Sequence, residues 1–469
     1  MHARNPGHDG NFDCRCPHLP FSDSVFAEVE LLFGRRSFLI GAAATGVAAL
    51  FPWTRARAAS SVTVLKATHL FDGRELRSPG VLVVKNDRIV SMNAGDAGID
   101  ATIIDLGGVT LMPGLIDCHT HVATRVVTSS YLVGIMPRYA AADNIAEAAL
   151  YSIHNAQAML RNGFTTLRDV GGGAGIDLGL RNAINNGAII GPRILSAGPA
   201  LSITGGHGDT NDLPEFVHVD ETIEGGISYG PYGFRERVRE HVKRHVDLIK
   251  ILATGGVLSY GDTWDIPQFN LDEVYAVVDE ATKFERKVAA HAHGDKGIAI
   301  AVDGGVHSVE HASGVSEKTL AKMKDRGTHL VPTIWALDSI LQPGNPNKIS
   351  PNGLEKAHLA SQIRNEGMQR AVGSGVRFAY GTDAGVFPHG ENNRDFSLLV
   401  RMGMRPIDVL RAATSNAAEL LGTSDRGVLA EGKLADVIAV NGDPTRTIES
   451  VEKPSFVMLG GKRVDTSKL

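Results

Sequence analysis

The sequence has little cysteine, no long apolar run and no excess of positive charge, and each shortage excludes a class of protein. Three cysteines in 469 residues are too few for a disulfide scaffold. Two of them, Cys14 and Cys16, fall in a segment expected to be absent from the mature chain. No stretch reaches the roughly 18 consecutive apolar residues of a spanning helix, which excludes a multi-span membrane protein. Acidic residues outnumber basic ones, 52 Asp+Glu against 47 Lys+Arg, for a formal net charge of −5. A broadly basic nucleic-acid surface is therefore not expected. The composition is not that of a disordered chain either. Hydrophobic residues make up 43% and charged residues 21%, ample apolar material for a core. A chain this long holds two or three domains, or one large barrel with an appendage.

What is present begins with a leader. Arg35-Arg36-Ser37-Phe38-Leu39-Ile40 opens on paired arginines, Phe38 to Phe51 is modestly apolar and rich in Ala and Gly, and Ala56-Arg57-Ala58 has a small-x-small pattern. Residues 1–58 resemble a twin-arginine (Tat) export signal rather than part of a fold. The apolar run is too short for a hydrocarbon layer of ~30 Å. The expectation is export to the periplasm or beyond, with the mature protein starting near Ala59.

Both ends of the mature chain read as short strands. Gly80 to Val90 looks like a hairpin turning at Asn86-Asp87, and Leu434 to Val440 runs into the turn cluster Asn441-Gly442-Asp443-Pro444. Neither end has enough strands to bury a face alone. Residues 59–111 and 425–469 together are expected to make one small β-sandwich. Between them, over residues 112–424, strand-like runs alternate with helix-length stretches. The runs are Leu115–Val122, Thr165–Val170, Arg193–Ala197, Leu248–Ala253, Val288–His293, Ser308–Ala312, His329–Ile334 and Arg377–Thr382, with amphipathic stretches such as Ile145–Asn162 and Leu271–Arg286 between them. Continuous apolar strands suit a parallel sheet covered on both faces. The expected class is α/β: a (β/α)8 TIM-like barrel flanked by the sandwich from both chain ends. An open doubly wound sheet is the alternative, but its first strand usually leads into a Gly-rich nucleotide turn. Here that strand ends in histidines.

His119-Thr120-His121 closes the first strand. Residues two apart on a strand face the same way, so both rings can enter a barrel mouth. His291-Ala292-His293 repeats the spacing on the fifth strand, His311 lies on the sixth and Asp383 on the eighth. Imidazoles and carboxylates at the C-terminal ends of several barrel strands read as a metal site, with zinc well suited. Lys250 sits inside the apolar run Asp247–Leu252. Lysine is almost never fully buried without a partner. It either snorkels to the strand end, or its desolvated amine has taken up CO2 as a carbamate that can bridge two cations. Histidines on helical patterns, such as His154, His241 and His245, read as surface residues.

These residues resemble the amidohydrolase superfamily in its binuclear form. The matching motifs are Pro113-Gly114-Leu115-Ile116-Asp117-Cys118-His119-Thr120-His121, Lys250, His291, His311, Gly381-Thr382-Asp383 and the closing Gly427 to Asp436 segment. Lys250 to Val257, His291-Ala292-His293-Gly294, Gly205-Gly206-His207-Gly208 and Pro388-His389-Gly390-Glu391-Asn392 are similar to metallo-dipeptidases of Xaa-Pro or Xaa-Arg/Lys dipeptides, and to ochratoxin-hydrolysing amidases. The resemblance implies two divalent cations, zinc first. His119, His121 and Asp383 would hold one and His291 and His311 the other, with carboxylated Lys250 between them. It further implies attack by a metal-bridging hydroxide on an amide, with Asp383 moving the proton and His293 steadying the oxyanion. The substrate would be a small molecule, a dipeptide or N-acyl amino acid. His207, Tyr260, Arg168 and His389 are candidates for its carboxylate, and a homo-oligomer is the family habit. Cyclic-amide hydrolases, lactonases and deaminases of the same superfamily are the alternatives. Mononuclear deaminases lack the bridging lysine, so Lys250 counts against that reading.

Overall fold

The computed structural model describes residues 62–124, 145–209, 211, 225–259, 261–343 and 349–469. The expected leader, residues 1–58, and Tyr260 lie outside these residues. The described chain opens with β1 (Val62–Ala67), β2 (His69–Phe71), β3 (Leu76–Arg77), β4 (Gly80–Lys85), β5 (Arg88–Ser91), β6 (Thr102–Asp105) and β7 (Val109–Pro113). β4 and β5 form the hairpin expected from the sequence, with Asn86 at φ 57° in its turn. Asparagine tolerates that left-handed conformation better than most residues. β5, β4, β1 and β6 lie side by side in one sheet.

The central part is parallel. β8 (Leu115–Thr120), β9 (Phe164–Asp169) and β10 (Arg193–Ser196) form one sheet, and β11 (Ser202–Ile203) pairs with β12 (Ile227–Ser228). β13 (Leu248–Leu252), β14 (Lys287–Ala292), β15 (Ser308–His311) and β16 (His329–Val331) form the next sheet. Hydrogen bonds from Asp247 N to Ser196 O and from Leu201 N to Lys250 O connect the first group to the second. At the far edge, Leu330 N bonds Arg377 O, Cys118 N bonds Tyr380 O and Asp383 N bonds His119 O. The run 377–384 thus joins β16 back to β8, although the sequence anticipates a regular strand there. Its ladder is broken because Tyr380 N donates to Ala412 O and Thr382 N to the Asp117 carboxylate.

Every residue of β8, β9 and β13 is buried, as befits parallel strands covered on both faces, and none shows the apolar–polar alternation of a half-exposed strand. Helices α1 (Ile145–Arg161), α2 (Ile176–Asn185), α3 (Gly230–Lys243), α4 (Leu271–Lys283), α5 (Asp295–Asp303), α6 (Glu317–Arg326), α7 (Ile334–Ile340) and α8 (Pro351–Ala371) alternate with them. α4 starts where Asn270 and Glu273 form a reciprocal capping box, satisfying backbone donors that the first turn leaves open. Its apolar face, with Val274, Val277 and Ala281, enters the main core beside Ile249, Ile251 and Val288. Fully burying one such aliphatic side chain contributes roughly 1.5–3 kcal/mol. On α3, His241 is buried rather than exposed, its ring held between Arg237 O and Pro199 O at 2.8 Å each. The helical period had placed it on the surface; burial keeps the ring neutral, and its one N–H donates to a backbone carbonyl, which makes the burial tolerable.

The chain then returns. β17 (Val437–Asn441), β18 (Phe456–Leu459) and β19 (Lys462–Arg463) extend a sheet ordered β19-β18-β17-β7-β2-β3. β17 runs antiparallel to β7, pairing Val437 with Pro113 and Asn441 with Val109. Leu65, Leu82, Leu111, Val437 and Met458 share one apolar cluster, so both chain ends contribute to it. Arg193 of β10 meets Asp436, next to β17, at 3.0 Å. Among the described residues no helix is long and apolar enough to cross a membrane.

Candidate metal centre

Asp117, His119 and His121 follow each other at two-residue spacing along and just past β8, so pleating sends their side chains one way. Asp117 is fully buried and fixes the strand end. Its carboxylate accepts from Thr382 Oγ1 at 2.7 Å, Asn392 Nδ2 at 2.8 Å and His119 N at 3.0 Å. Burial is the main reason its pKa rises to about 6. The anchored 377–384 run delivers Asp383, whose Oδ1 lies 3.1 Å from His121 Nε2 and 3.4 Å from His119 Nε2. His119, His121 and Asp383 offer ligand atoms within 4.8 Å of one another.

A second group lies beside the first. His291 and His293 from the end of β14 and His311 from the end of β15 again bring ligand atoms within 4.8 Å. Ring centroids of His119 and His311 are 5.0 Å apart, and those of His291 and His311 4.7 Å apart. Lys250 on β13 is 2% exposed, and its charge is among the influences on His291, His311 and Glu310.

The ring tautomers follow from the outer partners. Glu310 Oε2 lies 2.9 Å from His119 Nδ1, Gly171 O lies 2.9 Å from His121 Nδ1 and Gly255 O lies 3.0 Å from His291 Nε2. A carbonyl or ionised carboxylate can only accept, so each of these nitrogens carries the proton and the opposite one keeps a lone pair. This is how outer partners orient ligating histidines. His311 Nδ1 and His293 Nδ1 instead meet the hydroxyls of Thr333 at 2.6 Å and Ser313 at 2.9 Å.

Burial, reinforced by neighbouring histidines, holds His291 and His311 well below the ordinary imidazole value. Burial also pushes His293 down to about 3. These rings are neutral, the form that binds a cation. For Asp383, burial works toward the acid form, but while the rings of His119 and His121 carry protons on the nitrogens that face it they outweigh burial and hold the carboxyl well below its usual range; a bound cation would take the place of those protons. His311, Ala312, Thr333 and Asp383 adopt φ values of 70°, 49°, 48° and 65°. Positive φ costs of order 1–3 kcal/mol for such residues and gathers at functional sites. Neutral lone pairs converging with an ionised carboxylate fit a divalent cation.

The candidate substrate residues separate. The His207 ring lies 4.5 Å from that of His291, centroid to centroid. It rests so closely on Gly256 that a Cβ there would come within 2.0 Å of it. His389 donates through Nε2 to His121 O at 3.1 Å, which buttresses a ligand-bearing segment. Arg168 is buried and reaches Cys118 O, Ser308 Oγ at 3.0 Å and Glu310 Oε1 at 2.8 Å. It lies among buried strand residues as the counter-ion of Glu310.

Glu310 is the functional residue that sequence reasoning passed over. Burial acts against its charge, yet Arg168 and His119 more than offset this and bring it down to about 2. A glutamate inside a short buried strand, next to a ligand histidine, was the available signal, since buried acids are nearly always paired. Ser313 and Thr333 gave no such signal.

Residues 110–464 match the model of the amidohydrolase family. The chain is 32% identical to an ochratoxinase of Aspergillus niger over 429 residues, covering 86% of each. A crystal structure of an Xaa-Pro dipeptidase with bound methionine in its active site is 33% identical with a TM-score of 0.78, covering 86% of this chain and 100% of that one. A prolidase complexed with N-methylphosphonate-L-proline is 32% identical with a TM-score of 0.78, covering 86% and 99%. The fold is accordingly a TIM barrel of mixed α/β content, and the activity is metal-dependent hydrolysis of an amide bond. The chain belongs to the amidohydrolase family.

Proposed function

We propose that this amidohydrolase cleaves dipeptides or N-acyl amino acids whose leaving amine carries a free carboxylate. The observation that carries the reading is the meeting of two ligand groups, His119/His121/Asp383 and His291/His293/His311, beside the buried Lys250. In this reading zinc is the native metal at both. Lys250 would be carboxylated, which would replace a cation near neutral histidines by an anion of the kind divalent cations bind. The prolidase relative was crystallised with a proline derivative, whose chemistry includes such a carboxylate. When bound, the metal pair supplies an activated water near neutral pH and polarises the amide carbonyl.

The chain's own groups do the rest. Asp383, ionised, accepts the proton of the attacking water and returns it to the leaving nitrogen. His291, with its proton held by Gly255 O, keeps a lone pair for metal. His293, neutral and turned by Ser313, donates to the developing oxyanion. His207, on its glycine seat, and Tyr260 read the substrate carboxylate. We further read residues 112–424 as a closed (β/α)8 barrel and residues 59–111 with 425–469 as a β-sandwich. Export through the Arg35-Arg36 signal and a homo-oligomeric state complete the reading.

The test is kcat/KM for matched pairs of free-acid and C-terminal-amide dipeptides. The acid should be favoured about tenfold or more, since an unpaired buried donor costs ~1–3 kcal/mol. Equal rates across all pairs, or turnover of cyclic imides alone, would move the assignment to a cyclic-amide hydrolase.

A further inference from the structure

Lys356 lies on α8, a helix that supplies none of the candidate ligands, yet it is 6% exposed. Its Nζ donates to Gly256 O at 2.8 Å and Ser259 O at 2.6 Å and pairs with Asp262 Oδ1 at 3.2 Å. Asp262 is itself the hub of the turn that follows β13. It accepts from Ser259 Oγ at 2.5 Å, Gly256 N at 3.2 Å and Gln268 Nε2 at 3.1 Å. Gln268 Oε1 then accepts from His207 N at 2.9 Å.

Two routes therefore run from the ammonium to the site. One passes through Gly256, on which the His207 ring rests, and whose neighbour Gly255 turns His291. The other passes through Asp262 and Gln268 to the His207 backbone. α8 is a firm base for both. Arg364 ties it to Ile334 O and Asp338 at 2.8 Å each, and Ala357 and Ala360 pack with Val257 and Trp264 from the turn. Trp264 meets the His293 ring edge-on at 5.8 Å.

A buried ion pair is weak as a stabiliser, because desolvation offsets most of its attraction, and an apolar replacement is often as stable. What such a pair provides is direction. We propose that Lys356 is a positioning residue: it locks the turn so that His207 is held against His291 at a fixed distance. It touches no reacting atom, and it acts on substrate through His207. This rests on the reading that His207 recognises the substrate carboxylate.

The experiment uses Lys356→Met, Lys356→Arg, His207→Ala and the Lys356→Met/His207→Ala pair in the metal-loaded full chain. Two quantities are read: the rate at which diethyl pyrocarbonate modifies His207, by mass spectrometry, and the acid-to-amide ratio of kcat/KM. Lys356→Met should speed His207 modification about threefold or more and reduce the acid-to-amide ratio about tenfold, the size of one lost buried hydrogen bond. The double variant should show no further fall in the ratio beyond His207→Ala, since residues acting in one chain are not additive. Lys356→Arg, which keeps charge and donors, should recover most of the ratio. Should Lys356→Met fail to fold, Asp262→Asn breaks the same link without changing volume and should move both readouts in the same direction. A lowered melting temperature with unchanged modification rate and unchanged ratio would show a merely structural lysine and overturn the proposal. A wild type with no acid preference would instead overturn the substrate reading, while the modification rates still decide the positioning role.

Discussion

Both ends of the barrel gather histidines that are buried or half-buried, and the contrast between them shows what burial alone does not make. At the C-terminal ends of the strands stand His119, His121, His291, His293 and His311 with Asp383. At the N-terminal ends stand His307, just before β15, and His329, the first residue of β16. Burial lowers the imidazole pKa of His291, His293 and His311 at one end and of His307 and His329 at the other, the last two to about 4 each. The difference lies in the partners. At the upper end, acceptors such as Glu310 and the carbonyls of Gly171 and Gly255 turn lone pairs inward toward one place. At the lower end, His307 Nδ1 accepts from Val288 N, and the charges felt by these rings are cations: Lys287, Arg168 and, for His329, Arg377. A metal site needs convergent lone pairs and negative charge; neutral buried rings among cations supply neither.

The largest effect should come from removing the anion proposed for the upper end. Lys250→Ala should reduce activity to background and lower bound metal from two per chain toward one. A short-chain carboxylate added to the buffer should restore part of both. Metal analysis beside turnover checks this, and two metals with wild-type turnover would end the carbamate assignment. Asp383→Asn should follow, with kcat reduced by about 10²–10⁴-fold and KM changed far less. Because Asp383 sits among the ligands, metal content is measured in parallel, and full occupancy with unchanged kcat would remove its role in proton transfer.

Glu310→Gln sharpens the contrast by weakening an orienting acceptor while leaving every proposed ligand in place. Outer partners of this kind are typically worth 10–100-fold in metal affinity or activity. The substitution also leaves Arg168 buried without its counter-ion, so stability should fall by roughly 3–5 kcal/mol. Titration with zinc under conditions where the variant is folded separates the two effects. Unaltered affinity would show that Glu310 serves Arg168 alone.

Much of this was legible in the sequence. Seven of the runs read as barrel strands correspond to β8, β9, β10, β13, β14, β15 and β16; the clearest, such as β13 and β14, are buried on nearly every residue and leave an almost uninterrupted apolar record. The eighth was legible in position but not in form, since the backbone bonds of Tyr380 and Thr382 to Ala412 and Asp117 depend on contacts distant in sequence. The histidines that the fold gathers into two candidate ligand groups were visible through their spacing. Their tautomers were not, because these rest on carbonyls, and a carbonyl belongs to every residue. The partner of Arg168 was hidden for a related reason: a charged residue within a strand can face a substrate or another charge, and Glu310 becomes its partner through the β9–β15 geometry alone. His241 shows the limit of helical periodicity, which reports the hydrophobic face and is silent on a polar ring whose N–H finds a backbone carbonyl.

The smallest expected effect probes the lower end. His329 is 5% exposed, and its pKa lies at about 4, burial being the chief cause, against ~6.5 for an unfolded histidine. Its folded value is the lower one, so below pH ~6.5 the unfolded chain binds a proton that the folded chain refuses. The share of stability involved is complete above that pH and is lost progressively as pH falls toward about 4. Linkage puts the loss at about 2 kcal/mol at pH 5. His329→Gln cannot take up that proton, so its stability should fall less than the wild type's between pH 7 and pH 5, by about that amount. Urea midpoints at the two pH values measure it. Metal content and kcat should not change, because this ring points no lone pair at the upper group. A His329→Gln protein that lost metal would break the contrast between the ends, since it would tie a histidine surrounded by cations to a site that depends on anions.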